Sequence, residues 1–194
     1  MSEPARQSES RSDGGRAGAR LRVVGCGNPL AGDDSVGLEV VRRLRARGDC
    51  ECELLEMPQA SVELLDLLPD AGAVLFIDAV SSGAPAGTVH LVPLPSSGIE
   101  PRTLGSLSSH GWGLAEMLGL AAALGGRRPQ LLLLGIELAT REPGTALSGA
   151  VEVAVQMVVE KFPQLRAILT EANAGRWLNG RRFPPGDASF PGGR

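Results

Sequence analysis

The sequence predicts a three-layer α/β/α sandwich on a mixed sheet. Apolar runs suited to strands alternate with amphipathic stretches suited to helices, which is the pattern of a layered α/β domain. One run, Ala73-Val74-Leu75-Phe76-Ile77, is unbroken, as a central strand buried on both faces requires. The link from it to the next strand is too short for the crossover that parallel neighbours need, so that strand is expected to run antiparallel.

The elements follow in order. Residues 1–20 are polar and Gly-rich, without the apolar segment of a secretory signal or a twin arginine, and are expected to be a disordered tail. Leu21 to Cys26 reads as the first strand. The next helix has Val36, Val40, Val41 and Leu44 on one face, Arg42, Arg43 and Arg47 on another, and Gly48 as its stop. Cys52 to Met57 is a second strand, and Ser61 caps a short helix that Pro69 halts. Ala73 to Ile77 is the third strand, ending in Asp78, and Gly87 to Val92 is the fourth. Pro93 to Ser109 is a long loop, of the kind that is usually functional or mobile. A helix from Gly111 to Leu124, a strand from Gln130 to Ile136, and a helix from Leu147 to Phe162 broken by Pro163 complete the domain, with a short helix from Gln164 to Ala172. The domain thus spans 21–172, and 173–194 is expected to be a second disordered tail.

Composition narrows the function. A chain of 194 residues suits one domain, and with 43% hydrophobic but only 3% aromatic residues its core must be aliphatic. A net charge of -3 without a like-charged block argues against a nucleic-acid binder. The apolar stretch from Leu114 to Leu138 is interrupted by Gly125-Gly126-Arg127-Arg128-Pro129, so it reads as helix, turn and strand rather than a membrane span. Cys26, Cys50 and Cys52 form no even disulfide framework, and Cys50-Glu51-Cys52 is too close for a zinc knuckle. They read as reduced thiols, which points to a reducing compartment, the cytoplasm.

The chemistry gathers where strands end. The loop Gly25-Cys26-Gly27-Asn28-Pro29-Leu30-Ala31-Gly32 delivers two adjacent acids, Asp33 and Asp34, to the carboxyl edge of the sheet, where open α/β folds keep their sites. A dinucleotide fingerprint does not fit: Leu30 stands where glycine is needed, and Asp33-Asp34 would repel a pyrophosphate at the helix N-terminus. Asn28 and Gly32 instead turn the backbone and aim the acids. If the first and third strands are neighbours, Asp34 and Asp78 meet, and His110, opening a helix after the long loop, can fold over the same edge. Two carboxylates and one imidazole make a three-ligand set for a divalent metal with open positions. Each residue also has a structural reading: Asp33 or Asp34 as an N-cap worth about 1 kcal/mol, Asp78 as a turn residue, His110 as a solvated helix start. His90 lies within an alternating strand and reads as structural. There is no His-Glu-x-x-His and no Gly-x-Ser-x-Gly.

The motif from Gly25 to Gly37 resembles the opening motif of the [NiFe]-hydrogenase maturation proteases. The resemblance continues through Phe76-Ile77-Asp78-Ala79-Val80, Gly87-Thr88-Val89-His90, Ser108-Ser109-His110-Gly111-Trp112-Gly113-Leu114 and Leu134-Gly135-Ile136-Glu137, covering roughly Leu21 to Phe162. Ser35 departs from the glycine common at that place, and Cys50 to Pro58 and Pro93 to Gly105 match only loosely. The resemblance implies an α/β/α sandwich on a mixed five-stranded sheet with the fourth strand antiparallel. It implies a nickel-dependent endopeptidase that removes the C-terminal extension of the hydrogenase large-subunit precursor after nickel insertion. It also implies that Asp34, Asp78 and His110 are the metal contacts, the nickel being presented by the precursor. Asp33 is then a candidate for orienting a ligand or moving a proton. The expected partner is that precursor, met by a monomer, with no nucleic acid or membrane involved. The rival expectations are a checkpoint protein that binds the metallated precursor without cutting it, and a peptidase of the same fold serving another precursor.

Overall fold

The computed structural model describes residues 21–59, 61–95, 111–125, 129–144, 146–170 and 181–184, together with 186, 187 and 190. The strands are β1 (Leu21–Cys26), β2 (Glu53–Met57), β3 (Ala73–Val80), β4 (Val89–Leu94), β5 (Gln130–Glu137) and β6 (Arg181–Phe183). The helices are α1 (Val36–Arg47), α2 (Leu64–Leu67), α3 (Gly111–Leu124) and α4 (Gly149–Thr170), and a 3-10 helix, Gly32–Ser35, leads into α1. The sheet order is β2-β1-β3-β5-β4-β6. β1, β2, β3 and β5 are parallel, whereas β4 is antiparallel to both β5 and β6. The antiparallel fourth strand is the one expected from the short link before it.

Alternation along the strands sends two aliphatic cores to opposite faces. On one face Val23, Leu75, Ile77 and Leu134 meet Val36, Val40 and Val41 of α1 and Val151, Val155 and Val158 of α4. On the other, Val24, Phe76, Val74 and Leu133 meet Leu64 of α2 and Leu114, Ala115 and Leu118 of α3. All eight residues of β3 are buried, as a strand covered by helices on both sides must be. The approach of α1 is set by glycine: a Cβ on Gly37 would lie 2.0 Å from the Ile77 carbonyl oxygen and 2.3 Å from that of Cys26. Arg43 ties α1 to α4 through a bidentate pair with Glu152, at 2.7 and 2.8 Å.

Several expectations are corrected. The sheet has six strands, not five, because Arg181–Phe183 of the tail expected to be disordered adds to β4. Two aromatics anchor this strand: Phe183 and Phe190 are both buried and pack edge to face at 5.0 Å. Pro163 does not break α4, which runs on to Thr170. A proline leaves the carbonyl four residues earlier without its helical donor, and here that carbonyl, of Val159, accepts from Arg47 Nη1 at 2.6 Å instead. β4 also runs through Pro93, beyond the reach of β6, whose pairing ends at Leu91. A missing N–H is tolerated on such an edge. Cys50 and Cys52 are joined in a disulfide, with a Cα separation of 5.3 Å, rather than being free thiols. That separation lies within ordinary bridging range, so these two residues no longer argue for a reducing compartment. Cys26 is free and buried.

Candidate active site at the carboxyl edge of the sheet

The loop after β1 folds around Asp34. Gly27 has φ +147°, and a Cβ there would lie 2.3 Å from the Asp34 carbonyl oxygen. That carbonyl accepts from Asn28 N–H at 3.1 Å, and Asp34 N–H donates to the Ala31 carbonyl at 2.9 Å. The Asn28 side chain accepts from Leu30 N–H at 3.0 Å, the local turn chemistry its sequence position suggests. The result is a rigid cradle for a carboxylate. Asp34 is buried, and its Oδ1 has no hydrogen-bond partner. Among the described residues, Arg141 brings a cation toward that oxygen, its Nε 3.9 Å away and too far for a hydrogen bond.

Asp33 points elsewhere. Its Oδ2 accepts from the backbone N–H of Ala139 at 2.9 Å and of Thr140 at 3.1 Å, and its Oδ1 from Ser148 N–H at 2.6 Å. The carboxylate is fully buried. It therefore bolts both ends of the segment between β5 and α4 to the 3-10 helix. A further rung joins Gly144 N–H to the Leu30 carbonyl at 2.8 Å. These contacts give the carboxylate a positioning role, since all three fasten backbone on the far side of the loop.

Asp78 lies within β3, fully buried, where its Oδ1 accepts from Ala79 N–H at 2.9 Å. The 3-10 helix carrying Asp34 packs against this strand, and β1 and β3 are direct neighbours. The adjacency the sequence reading required is therefore present. Asp78 also sits beside Cys26: burial first, and then the charge of Asp78, push the Cys26 thiol well above its ordinary pKa. Cys26 is thus a protonated thiol and a poor nucleophile. The next residues in this row are Gly135 on β5, paired with Asp78, and His90 on β4, paired with Gly135.

His90 has an acidic partner that its sequence context did not reveal. Its Nε2 lies 3.1 Å from Oε2 of buried Glu137. Glu137 also accepts from the N–H of Ser82 at 2.6 Å, the N–H of Gly83 at 2.9 Å, and the Ser82 hydroxyl at 2.9 Å. The pair pins the β3–β4 connection to the sheet. Burial pulls the His90 pKa below its ordinary value, with Glu137 opposing that shift.

His110 lies outside the described residues. The helix that begins at Gly111 packs Leu114, Ala115 and Leu118 on the sheet face that also carries Phe76 and, by alternation, Asp78. Among the described residues no group of three or more metal-ligating side chains is assembled. The buried Oδ1 of Asp34 is a carboxylate oxygen whose hydrogen-bonding capacity is unused. The apolar cleft between α2 and α3, lined by Leu65, Leu68, Leu118 and Leu131, is a separate feature at the opposite end of β5 from Gly135. Sequence reasoning missed Arg141, and it named Glu137 only as part of the resemblance, without its pairing to His90. Glu137 ends a continuous apolar strand and Arg141 lies in the loop after it, and no spacing rule links either residue to Asp34 or His90. No described helix is long and apolar enough to cross a membrane.

Comparison with known proteins agrees with this architecture. The sequence model described as "HycI: Hydrogenase maturation protease" matches residues 38–164. The matched stretch includes Asp78 and begins just after the loop that carries Asp33 and Asp34. The chain is 32% identical over 126 residues to the hydrogenase expression/formation protein HupD of Thiocapsa roseopersicina, covering 63% of this chain and 56% of HupD. It thus spans a little over half the length of that relative. It is 27% identical over 155 residues to the hydrogenase 2 maturation protease of Escherichia coli, covering 79% of this chain and 92% of that one. The solved structure of the [NiFe] hydrogenase maturation protease HybD from Thermococcus kodakarensis superposes with a TM-score of 0.63 at 27% identity, covering 76% of this chain and 99% of HybD. With the family match extending over more than half its length, the chain belongs to the hydrogenase maturation proteases, a family of peptidases.

Proposed function

We propose that this chain is an endopeptidase that removes the C-terminal extension of a [NiFe]-hydrogenase large-subunit precursor after nickel has been inserted, with Asp34, Asp78 and His110 contacting the nickel that the precursor carries. The observation that carries the reading is the buried Oδ1 of Asp34, left without a hydrogen-bond partner on a 3-10 helix that packs against the strand of Asp78. A cation brought by the substrate would complete that oxygen's coordination. An unmetallated precursor brings none, so recognition and metal content are coupled.

The residues of the chain divide the work. Asp34 and Asp78 supply negative charge in a desolvated edge of the sheet, where a divalent ion is attracted more strongly than in water. His110 is proposed as the third, nitrogen ligand. Nickel held there would act as a Lewis acid toward the scissile carbonyl and raise the acidity of water. Asp33 positions the segment that faces Asp34 through its three backbone donors.

The test is mass spectrometry of nickel-loaded precursor after incubation with the purified chain. The expected result is a shortened precursor with the wild type, and at least a hundredfold slower cleavage with Asp78→Asn or His110→Ala, within the range set by lost electrostatic stabilisation, roughly 10²–10³-fold. Unchanged precursor mass with the wild type would leave only a non-cutting checkpoint. Normal rates in both variants would sink the site assignment, and cleavage of a different precursor alone would redirect the substrate.

A further inference from the structure

We propose that Arg141 is a resident counter-ion for Asp34, displaced when metal enters, so that the site binds free divalent cations less tightly and favours one delivered by a docked partner. This inference rests on the reading of Asp34 as a metal contact given above.

The geometry has three parts. First, Asp34 Oδ1 is buried and receives no hydrogen bond, yet it is not without charge compensation: Arg141 Nε stands 3.9 Å away. At that distance the contact is Coulombic and leaves the oxygen's lone pairs unused. Secondly, Arg141 is not there by accident of a loose loop. The Asp33 carboxylate clamps Ala139, Thr140 and Ser148, and Gly144 N–H is tied to the Leu30 carbonyl, so the segment is fastened on both sides of the arginine. The two adjacent acids therefore act together, Asp33 holding the segment whose cation faces Asp34. Thirdly, the Arg141 side chain is 51% exposed, so it has a path into solvent. A guanidinium keeps its charge at any physiological pH.

Charge decides the consequence. A divalent ion and Arg141 cannot both sit against the same carboxylate oxygen without repulsion. A free ion must displace the guanidinium at its bulk concentration, whereas an ion fixed in a docked protein competes at an effective concentration near millimolar. The arginine weakens both by the same factor, and the delivered ion withstands that loss because its effective concentration is high.

The experiment is a calorimetric titration of the untagged full chain with Ni²⁺, at low salt and near 1 M NaCl, for wild type, Arg141→Gln, Arg141→Lys, Asp34→Asn and the Asp34→Asn/Arg141→Gln double variant. For a half-exposed ion pair, removal of the cation should tighten free-metal binding about fivefold at low salt. Arg141→Lys should stay near wild type, the gain should shrink at high salt, and the double variant should lose it. Binding by Arg141→Gln that is equal to wild type, weaker, or undetectable overturns the inference. If Asp34→Asn binds nickel as the wild type does, it is the metal assignment of Asp34 that fails. If Asp34→Asn weakens binding while Arg141→Gln changes nothing, that assignment stands and only the counter-ion role is lost.

Discussion

Asp33→Asn separates a clamp from a proton carrier. The native carboxylate accepts three backbone N–H groups, two on Oδ2 and one on Oδ1, within a fully buried environment. The amide that replaces it has one oxygen. In its better orientation that oxygen keeps Ala139 and Thr140, and the NH₂ group then faces the N–H of Ser148, donor against donor. One hydrogen bond to a charged acceptor is lost, worth roughly 1.5–3 kcal/mol, and the remaining two become neutral and weaker, so the total loss is about 2–4 kcal/mol. For a domain of this size that lowers Tm by roughly 5–15 °C. Asp33→Ala strands all three donors and should lose about 3–5 kcal/mol, tempered by water reaching the partly exposed segment. Urea unfolding and amide hydrogen exchange at Ala139, Thr140 and Ser148 read the effect directly, with precursor cleavage measured on the same samples below the transition. The clamp predicts loss of stability and faster exchange at those three amides, with residual cleavage in the folded fraction. An Asn variant with wild-type stability and exchange but no cleavage would refute the clamp and restore the proton-transfer role.

Other perturbations test the frame around the site. Gly37→Ala forces a Cβ to within 2.0 Å of the Ile77 carbonyl oxygen, where backbone has no room to yield, and should lose about 3 kcal/mol or more by denaturant midpoint. Gly119→Ala meets nothing within 4 Å in α3 and should be neutral or up to about 1 kcal/mol stabilising in the same assay. His90 has a folded pKa below its ordinary 6.5, so the unfolded chain binds the proton more readily. Its contribution should be complete above pH 6.5 and decline as pH falls from there through the lowered folded value. His90→Gln should flatten that part of the stability profile measured by urea unfolding between pH 7.5 and 5. Phe183→Ala removes a buried ring that anchors β6 against Phe190, and should lose roughly 3–5 kcal/mol by thermal melting.

The layered α/β class and the antiparallel fourth strand could both be read from the chain, because they follow from local periodicity and link length. So could the helix α3, whose limits match its apolar pattern. The turn at Asn28 and Gly32 was legible too, since special backbone angles demand particular residues nearby in sequence. Local rules erred where a distant partner repaired a local defect. Pro163 reads as a helix breaker until Arg47 supplies the lost donor from another helix. Arg181–Phe183 reads as a loose tail until β4 offers an edge and Phe190 a ring. Cys50 and Cys52 read as free thiols because spacing alone says nothing about the turn that brings their sulfurs together.

The candidate site divides along the same line. By itself the sequence determined which acids reach the strand ends, because a strand followed by a tight turn delivers its next residues to the carboxyl edge whatever the rest of the chain does. What the two acids do there was a tertiary decision. Asp33 and Asp34 are adjacent and chemically identical, yet one is filled by three backbone donors from residues more than a hundred positions away, and the other is left buried with an open oxygen and a half-exposed arginine. The physical reason is that a carboxylate's role is set by the donors and charges around it, and in this fold those come from the far side of the chain.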